Sequence, residues 1–175
     1  GSDVLRWYFY TINSPGEPKK FDELDLKKML NKLFLIAYNS FVFYKTYGLT
    51  HSTSLGQASS PQAGRPIKIL DEWILVRLNE TVAAVTKKLD QYEVGEAGKL
   101  IEAFVDDLSR WYIRRSRKNV SSRTLIVVLE TLAKLLAPFA PFFAEALYRS
   151  MKIENEKLKI PASVHLADWP VSEEK

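Results

Sequence analysis

The sequence predicts an all-α protein, an antiparallel bundle of five or six helices followed by an extended C-terminal tail. Three observations carry that expectation. Apolar residues recur at spacings of three and four through every long segment, which is the period of a helix buried on one face. No set of segments makes a convincing sheet. The breaks between apolar stripes fall at clusters of proline, glycine, serine and asparagine, the residues that end helices and make turns.

Taken in order, residues 3–12 form a short, aromatic-rich helix that stops at the turn cluster Asn13-Ser14-Pro15-Gly16. Residues 1–20 are expected to connect the bundle to something upstream. The segment 21–47 carries Leu26, Met29, Leu30, Leu33, Phe34, Ala37, Tyr38, Phe41 and either Tyr44 or Lys45 near helical spacing, with Gly48 as its stop. Serine, glycine, glutamine and proline dominate residues 50–66, so 49–66 is expected as a flexible loop within the bundle domain, 21–151. A third helix over 69–90 aligns Leu70, Ile74, Leu78, Val82, Val85 and Leu89.

Tyr92 and Gly95 allow a turn into a fourth helix, whose Leu100, Ile101, Phe104, Val105, Leu108 and Tyr112 run toward a basic segment. Ser121 and Ser122 suit the cap of a fifth helix over 123–137, which Pro138 terminates. Phe139-Ala140-Pro141 makes a corner before a sixth helix over 142–151. Residues 152–175 read as an extended tail ending in Trp169-Pro170 and acidic residues.

Composition narrows the function. With 175 residues, of which 46% are hydrophobic, the chain is long and apolar enough for one sizeable core. Its formal net charge of +4 permits an acidic partner, although the placement of charge matters more than its sum. It contains no cysteine, and its two histidines, His51 and His165, lie far apart, so a disulfide scaffold is excluded and a metal site is not expected. No signal peptide or membrane-spanning run is evident, so the expectation is a cytoplasmic protein with no membrane partner. Gly1-Ser2 reads equally well as native or foreign to the protein. No Gly-rich phosphate loop, nucleophile elbow or acid-base constellation is visible, and no catalytic residue is assigned. Asp106 and Asp107 are neighbours whose side chains diverge on a helix, which disqualifies them as an acid-base pair.

The most informative stretch is Val105 to Lys118, where an apolar stripe runs into a dense basic end. At about 100° per residue, Arg110, Arg114 and Arg117 share a face distinct from that of Phe104, Leu108 and Tyr112. Guanidinium groups form forked hydrogen bonds with phosphate and stack on bases, so this face can hold a nucleic-acid backbone. With Arg115, Lys118 and Arg123 nearby, the candidate nucleic-acid-binding set is Arg110, Arg114, Arg115, Arg117, Lys118 and Arg123. A solvated face is the competing reading: Asp106 and Asp107 stand four and three residues before Arg110, at ion-pair spacing, and cations near a helix C-terminus favour its dipole. The aromatic set Trp7, Tyr8, Phe9 and Tyr10 suits either base stacking or core packing.

Five segments together resemble a known family. Leu70-Asp71-Glu72-Trp73-Ile74-Leu75-Val76-Arg77-Leu78-Asn79 and Phe104-Val105-Asp106-Asp107-Leu108-Ser109-Arg110-Trp111-Tyr112-Ile113-Arg114-Arg115-Ser116-Arg117 resemble the helical anticodon-binding domain of the isoleucyl-tRNA synthetases, which are class I enzymes. Leu132-Ala133-Lys134-Leu135-Leu136-Ala137-Pro138-Phe139-Ala140-Pro141-Phe142 is similar to the family's next signature, and Ser163-Val164-His165-Leu166-Ala167-Asp168-Trp169-Pro170 to the one that ends the bundle. Asp3-Val4-Leu5-Arg6-Trp7-Tyr8 is similar to the helix that links the catalytic body to this bundle. The resemblance implies a domain that grips the anticodon arm of isoleucine-accepting tRNA while an absent catalytic domain of the same chain performs ATP-dependent aminoacylation. It further implies no cofactor in this segment, ATP and Mg in the parent enzyme, and a monomeric fragment inactive on its own. Alternatives are the same domain of a valyl- or leucyl-type synthetase, or a helical protein-interaction module.

Overall fold

A computed structural model describes residues 1–13, 16–18, 21–48, 69–117, 121–154 and 160–172. Among them the chain forms six helical rods and no strand. Helix α1 spans Ser2–Thr11. Helix α2 is one rod in four parts: α-helical over Glu23–Met29 and Leu35–Phe43, with wider π-helical turns at Leu30–Phe34 and Tyr44–Gly48. Helix α3 covers Ile69–Asp90. Helix α4 is α-helical over Val94–Asp106, π-helical over Asp107–Ile113 and α-helical again over Arg114–Ser116. Helices α5, Ser122–Leu136, and α6, Pro141–Glu154, complete the bundle. The loop expected over 49–66 lies outside the described residues, as does Lys118.

Local chemistry explains the boundaries. Asp22 caps α2 by accepting the Leu24 N–H at 2.8 Å, and Ser121 caps α5 by accepting the Thr124 N–H at 3.2 Å. Ser122, expected to share that capping role, instead donates its hydroxyl to the Gly48 carbonyl at 2.6 Å and so fastens α5 to the end of α2. Between α3 and α4, Tyr92 adopts a left-handed φ of 60°. Its N–H reaches the Leu89 carbonyl and the Glu93 N–H the Lys88 carbonyl, both at 2.9 Å, the paired bonds of a Schellman ending. Gly95, expected in the turn, already belongs to α4.

The stripes converge on one core. Ile74, Leu78, Val82 and Val85 of α3 meet Ile101, Phe104, Val105, Leu108 and Tyr112 of α4, all buried. Leu33, Phe34, Ala37, Phe41 and Tyr44 supply the α2 face, and Leu125, Val128, Leu129 and Leu132 that of α5. Tyr38, expected in the α2 stripe, is 51% exposed. The π turn at Leu30–Phe34 inserts an extra residue into the helical phase, so a single 3.6-residue wheel does not carry along the whole rod.

Helix α1, expected as a connector, packs closely on the bundle. Trp7 is wholly buried, with its ring 5.2 Å from Phe139 and edge-on to Phe34. The close approach depends on Gly98 of α4, where an added Cβ would stand 2.5 Å from Thr11 Cγ2. Asp3 caps α6 from a distance, accepting the Phe143 N–H at 2.6 Å.

The tail departs in part from the extended expectation, since α6 continues to Glu154 and a 3-10 turn forms at Val164–Leu166. It lies across the bundle. Glu145 of α6 accepts Ser163 Oγ at 2.8 Å and the Val164 N–H at 2.9 Å, and Trp169 donates its indole N–H to Thr86 of α3 at 2.8 Å. Partial burial alone would raise the Glu145 carboxyl, but these two donors and the Arg149 guanidinium hold it below its ordinary value.

Candidate nucleic-acid interface

The basic end of α4 is anchored from beneath. Asp71 is buried in the first turn of α3 and accepts a short hydrogen bond from the Tyr112 hydroxyl of α4. Burial, reinforced by the Asp71 carboxylate, pushes that hydroxyl far above the ordinary tyrosine range, so Tyr112 remains a neutral donor. Ser116 Oγ returns to the Tyr112 carbonyl at 2.7 Å. The following residues therefore leave a fixed platform, and Arg114, Arg115 and Arg117 stand exposed on it.

Two carboxylates precede these arginines, and the structure shows what each does. Asp106 pairs with Arg110 at 2.7 Å. Asp107 turns away to Arg77 of α3, whose Nε lies 2.9 Å from it. Neither acid reaches the basic end, and among the described residues Arg114 and Arg117 have no ion-pair partner. Between Arg110 and Arg114 the helix is π-helical, over Asp107–Ile113.

Arg114 and Arg117 instead border an open groove of about 380 Å³ between α2 and α4. Asn39, Ser40 and Phe43 form one wall, and Ser109 and Ile113 join the arginines on the other. Arg115 takes a different position, with its guanidinium carbon 3.6 Å from the ring centroid of Trp111. Trp111 is 47% exposed and in turn leans on Trp73 of α3, with centroids 5.9 Å apart. At an exposed site such a cation-π contact contributes on the order of 0.5–1 kcal/mol and holds the guanidinium plane in place. Arg123 is exposed in the first turn of α5, where a cation works against the helix dipole and gains nothing from it.

Of the sequence-predicted set, the structure brings Arg114 and Arg117 to one groove, seats Arg115 on Trp111, places Arg123 at the α5 start and joins Arg110 to Asp106. In the aromatic set of α1, Trp7 and Tyr8 are core residues, whereas Phe9 and Tyr10 are about 40% exposed. Sequence reasoning missed Asn39, Phe43 and Ser109 as groove residues and Trp73 as the support of Trp111. An available signal was Asn39 itself, a polar residue interrupting the apolar run from Leu33 to Tyr44. Among the described residues no cluster of histidine, aspartate and glutamate is arranged to hold a metal ion, and no helix is long and apolar enough to cross a membrane.

Residues 71–175 match the family model described as the anticodon-binding domain of tRNA ligase. The chain is 37% identical to an isoleucine–tRNA ligase of Dehalococcoides mccartyi over 99% of its own length, and 36% identical to those of Clostridium novyi and Bacteroides thetaiotaomicron over 97% and 100%. It spans only 16–18% of the length of these relatives. Its fold is similar to part of Agrobacterium radiobacter K84 LeuRS, solved as a ternary complex with tRNA and LeuAMS, with a TM-score of 0.68 at 19% identity over 98% of this chain and 20% of that one. The chain therefore belongs to the family of anticodon-binding domains of tRNA ligases. The particular relatives that it matches along its whole length are isoleucine–tRNA ligases.

Proposed function

We propose that this chain is the part of an isoleucine–tRNA ligase that grips the anticodon arm of isoleucine-accepting tRNA. The observation that carries the reading is the uncompensated pair Arg114 and Arg117 beside the α2–α4 groove, in a chain of this family. Cations that a fold leaves unanswered at a groove suit a polyanion, and phosphate contacts fix the register of an RNA without reading its bases. The isoleucine assignment draws its support from relatives matched over nearly the whole chain. The LeuRS likeness supports the fold and, through the tRNA in that complex, the partner class.

Chemistry belongs elsewhere in the parent enzyme. ATP and Mg serve a catalytic domain of the full-length chain, this segment holds no cofactor, and its other partner is that catalytic domain. A cytoplasmic, monomeric fragment goes with the same reading. The role of the segment is to hold the anticodon end of tRNA still while the acceptor end reacts.

Titration of an isoleucine tRNA transcript at several salt concentrations tests this reading. Removing one arginine–phosphate interaction lowers the salt slope of log affinity by roughly 0.7 to 0.9. Arg114→Ala combined with Arg117→Ala is expected to weaken binding and reduce the slope by about 1.5. Equal affinity and an unchanged slope would make the basic end a solvated surface and favour a protein-interaction module.

A further inference from the structure

The groove between α2 and α4 carries more than charge. Its α2 wall presents Asn39, exposed and without a hydrogen-bond partner among the described residues, one turn before Phe43. Phe43 is half-buried and supported from behind by Tyr47, with ring centroids 4.9 Å apart. The hydroxyl of Ser40, between them, is committed to the Ile36 carbonyl at 2.9 Å, so Asn39 is the free amide of that wall. On the other wall stand Arg114 and Arg117 beside the apolar Ile113. A half-buried aromatic side chain, one exposed amide and two guanidinium groups with no ion pair among the described residues match the three parts of a nucleotide: base face, base edge and phosphate.

We infer that the α2–α4 groove receives one unpaired nucleotide of an RNA loop, with Asn39 reading the edge of its base while Arg114 and Arg117 hold the flanking phosphates. Asn39 is then a specificity-determining residue. Its amide offers a donor and an acceptor side by side, so it accepts a base edge with the complementary pair and rejects one that leaves an amide group unmatched. Arg110, tied to Asp106 and not bordering the groove, takes no part. The inference rests on the tRNA reading above and adds to it the place where sequence is read.

The test titrates an isoleucine tRNA transcript, and transcripts each changed at one anticodon-loop base, against the parent chain, Asn39→Ala and Asn39→Asp, with circular dichroism melts to confirm that each protein is folded. The parent should discriminate at one loop position. Asn39→Ala should erase that discrimination, lower affinity for the preferred transcript about tenfold and keep the salt slope of the parent. Asn39→Asp should bind more weakly still, because its carboxylate faces phosphate. Discrimination that survives Asn39→Ala, or an equal loss for every transcript, overturns base reading by Asn39 while leaving the tRNA reading intact. A parent chain that binds none of the transcripts overturns both.

Discussion

The two ends of α4 meet opposite fates. At its first turns, Gly98 lets α1 press onto the helix, and the Glu102 carboxylate is fully answered: Trp7 Nε1 lies 3.0 Å from one oxygen and Lys32 Nζ 2.7 Å from the other. At its last turns Arg114 and Arg117 meet no carboxylate among the described residues, and a π turn separates them from the acids that precede them in sequence. One end of the helix answers its charged groups within the fold, and the other leaves two of them exposed to solvent. Because residues of both kinds are charged and both lie on one rod, neither charge count nor periodicity distinguishes them. The difference lies in whether a partner stands within reach.

The packed end should show the largest effect. Trp7→Ala removes a fully buried indole from the contact between α1, Phe34 and Phe139, and it orphans one Glu102 oxygen. Truncations of this kind cost about 3–5 kcal/mol. Denaturant unfolding monitored by circular dichroism should register that drop, while the salt slope for RNA binding stays that of the parent under conditions where the variant is folded. A drop below about 1 kcal/mol would mean that α1 is not part of the cooperative unit, and a changed slope would mean that the two ends of α4 are not independent.

Tyr112 lies between the regimes, inside the core but directly beneath the basic end. Tyr112→Phe keeps the ring and leaves buried Asp71 without its donor, at a cost of about 1–3 kcal/mol. The pH dependence has a definite sign. Because the folded hydroxyl is raised above the unfolded value near 10, its contribution is complete below that pH and declines as alkali deprotonates the unfolded chain first. Urea unfolding between pH 8 and about pH 11 should show the parent losing stability faster than Tyr112→Phe. Burial raises Tyr148 as well, so the variant retains part of the decline. Parallel curves would remove Tyr112 from the alkaline linkage.

Much of the architecture was legible because helix period and turn chemistry are local. The α3 stripe from Leu70 to Leu89, the Ser121 cap and the Pro138 break all follow from residues a few positions apart. Tyr38, 51% exposed, was misjudged, and the π turns at Leu30–Phe34 and Asp107–Ile113 were not foreseen because no single residue type announces such a turn. The groove was less legible still, since Asn39 and Arg114 are brought together only by the packing of α2 on α4. Ion-pair spacing gave mixed guidance. It identified Asp106 with Arg110, but Asp107 found Arg77 on another helix, a partner that spacing does not reveal.

The smallest expected effect concerns the turn that leads into the packed end of α4. Tyr92 holds a φ of 60°, where a side chain crowds the backbone at a cost on the order of 1 kcal/mol, and its ring is 85% exposed, so little burial compensates. Tyr92→Gly relieves that crowding and keeps both Schellman bonds, which involve only the backbone. Glycine also gives the unfolded chain more freedom, worth about 0.4–1 kcal/mol in the opposite direction. The net expectation is a gain of a few tenths of a kcal/mol and a rise in melting temperature of about 1–2 °C, with RNA affinity and salt slope unchanged because the turn lies at the end of α4 away from the arginines. A fall in melting temperature would assign the Tyr92 ring a contact that outweighs its backbone conformation. A change in RNA affinity would extend the interface to the end of α4 that the fold otherwise keeps for itself.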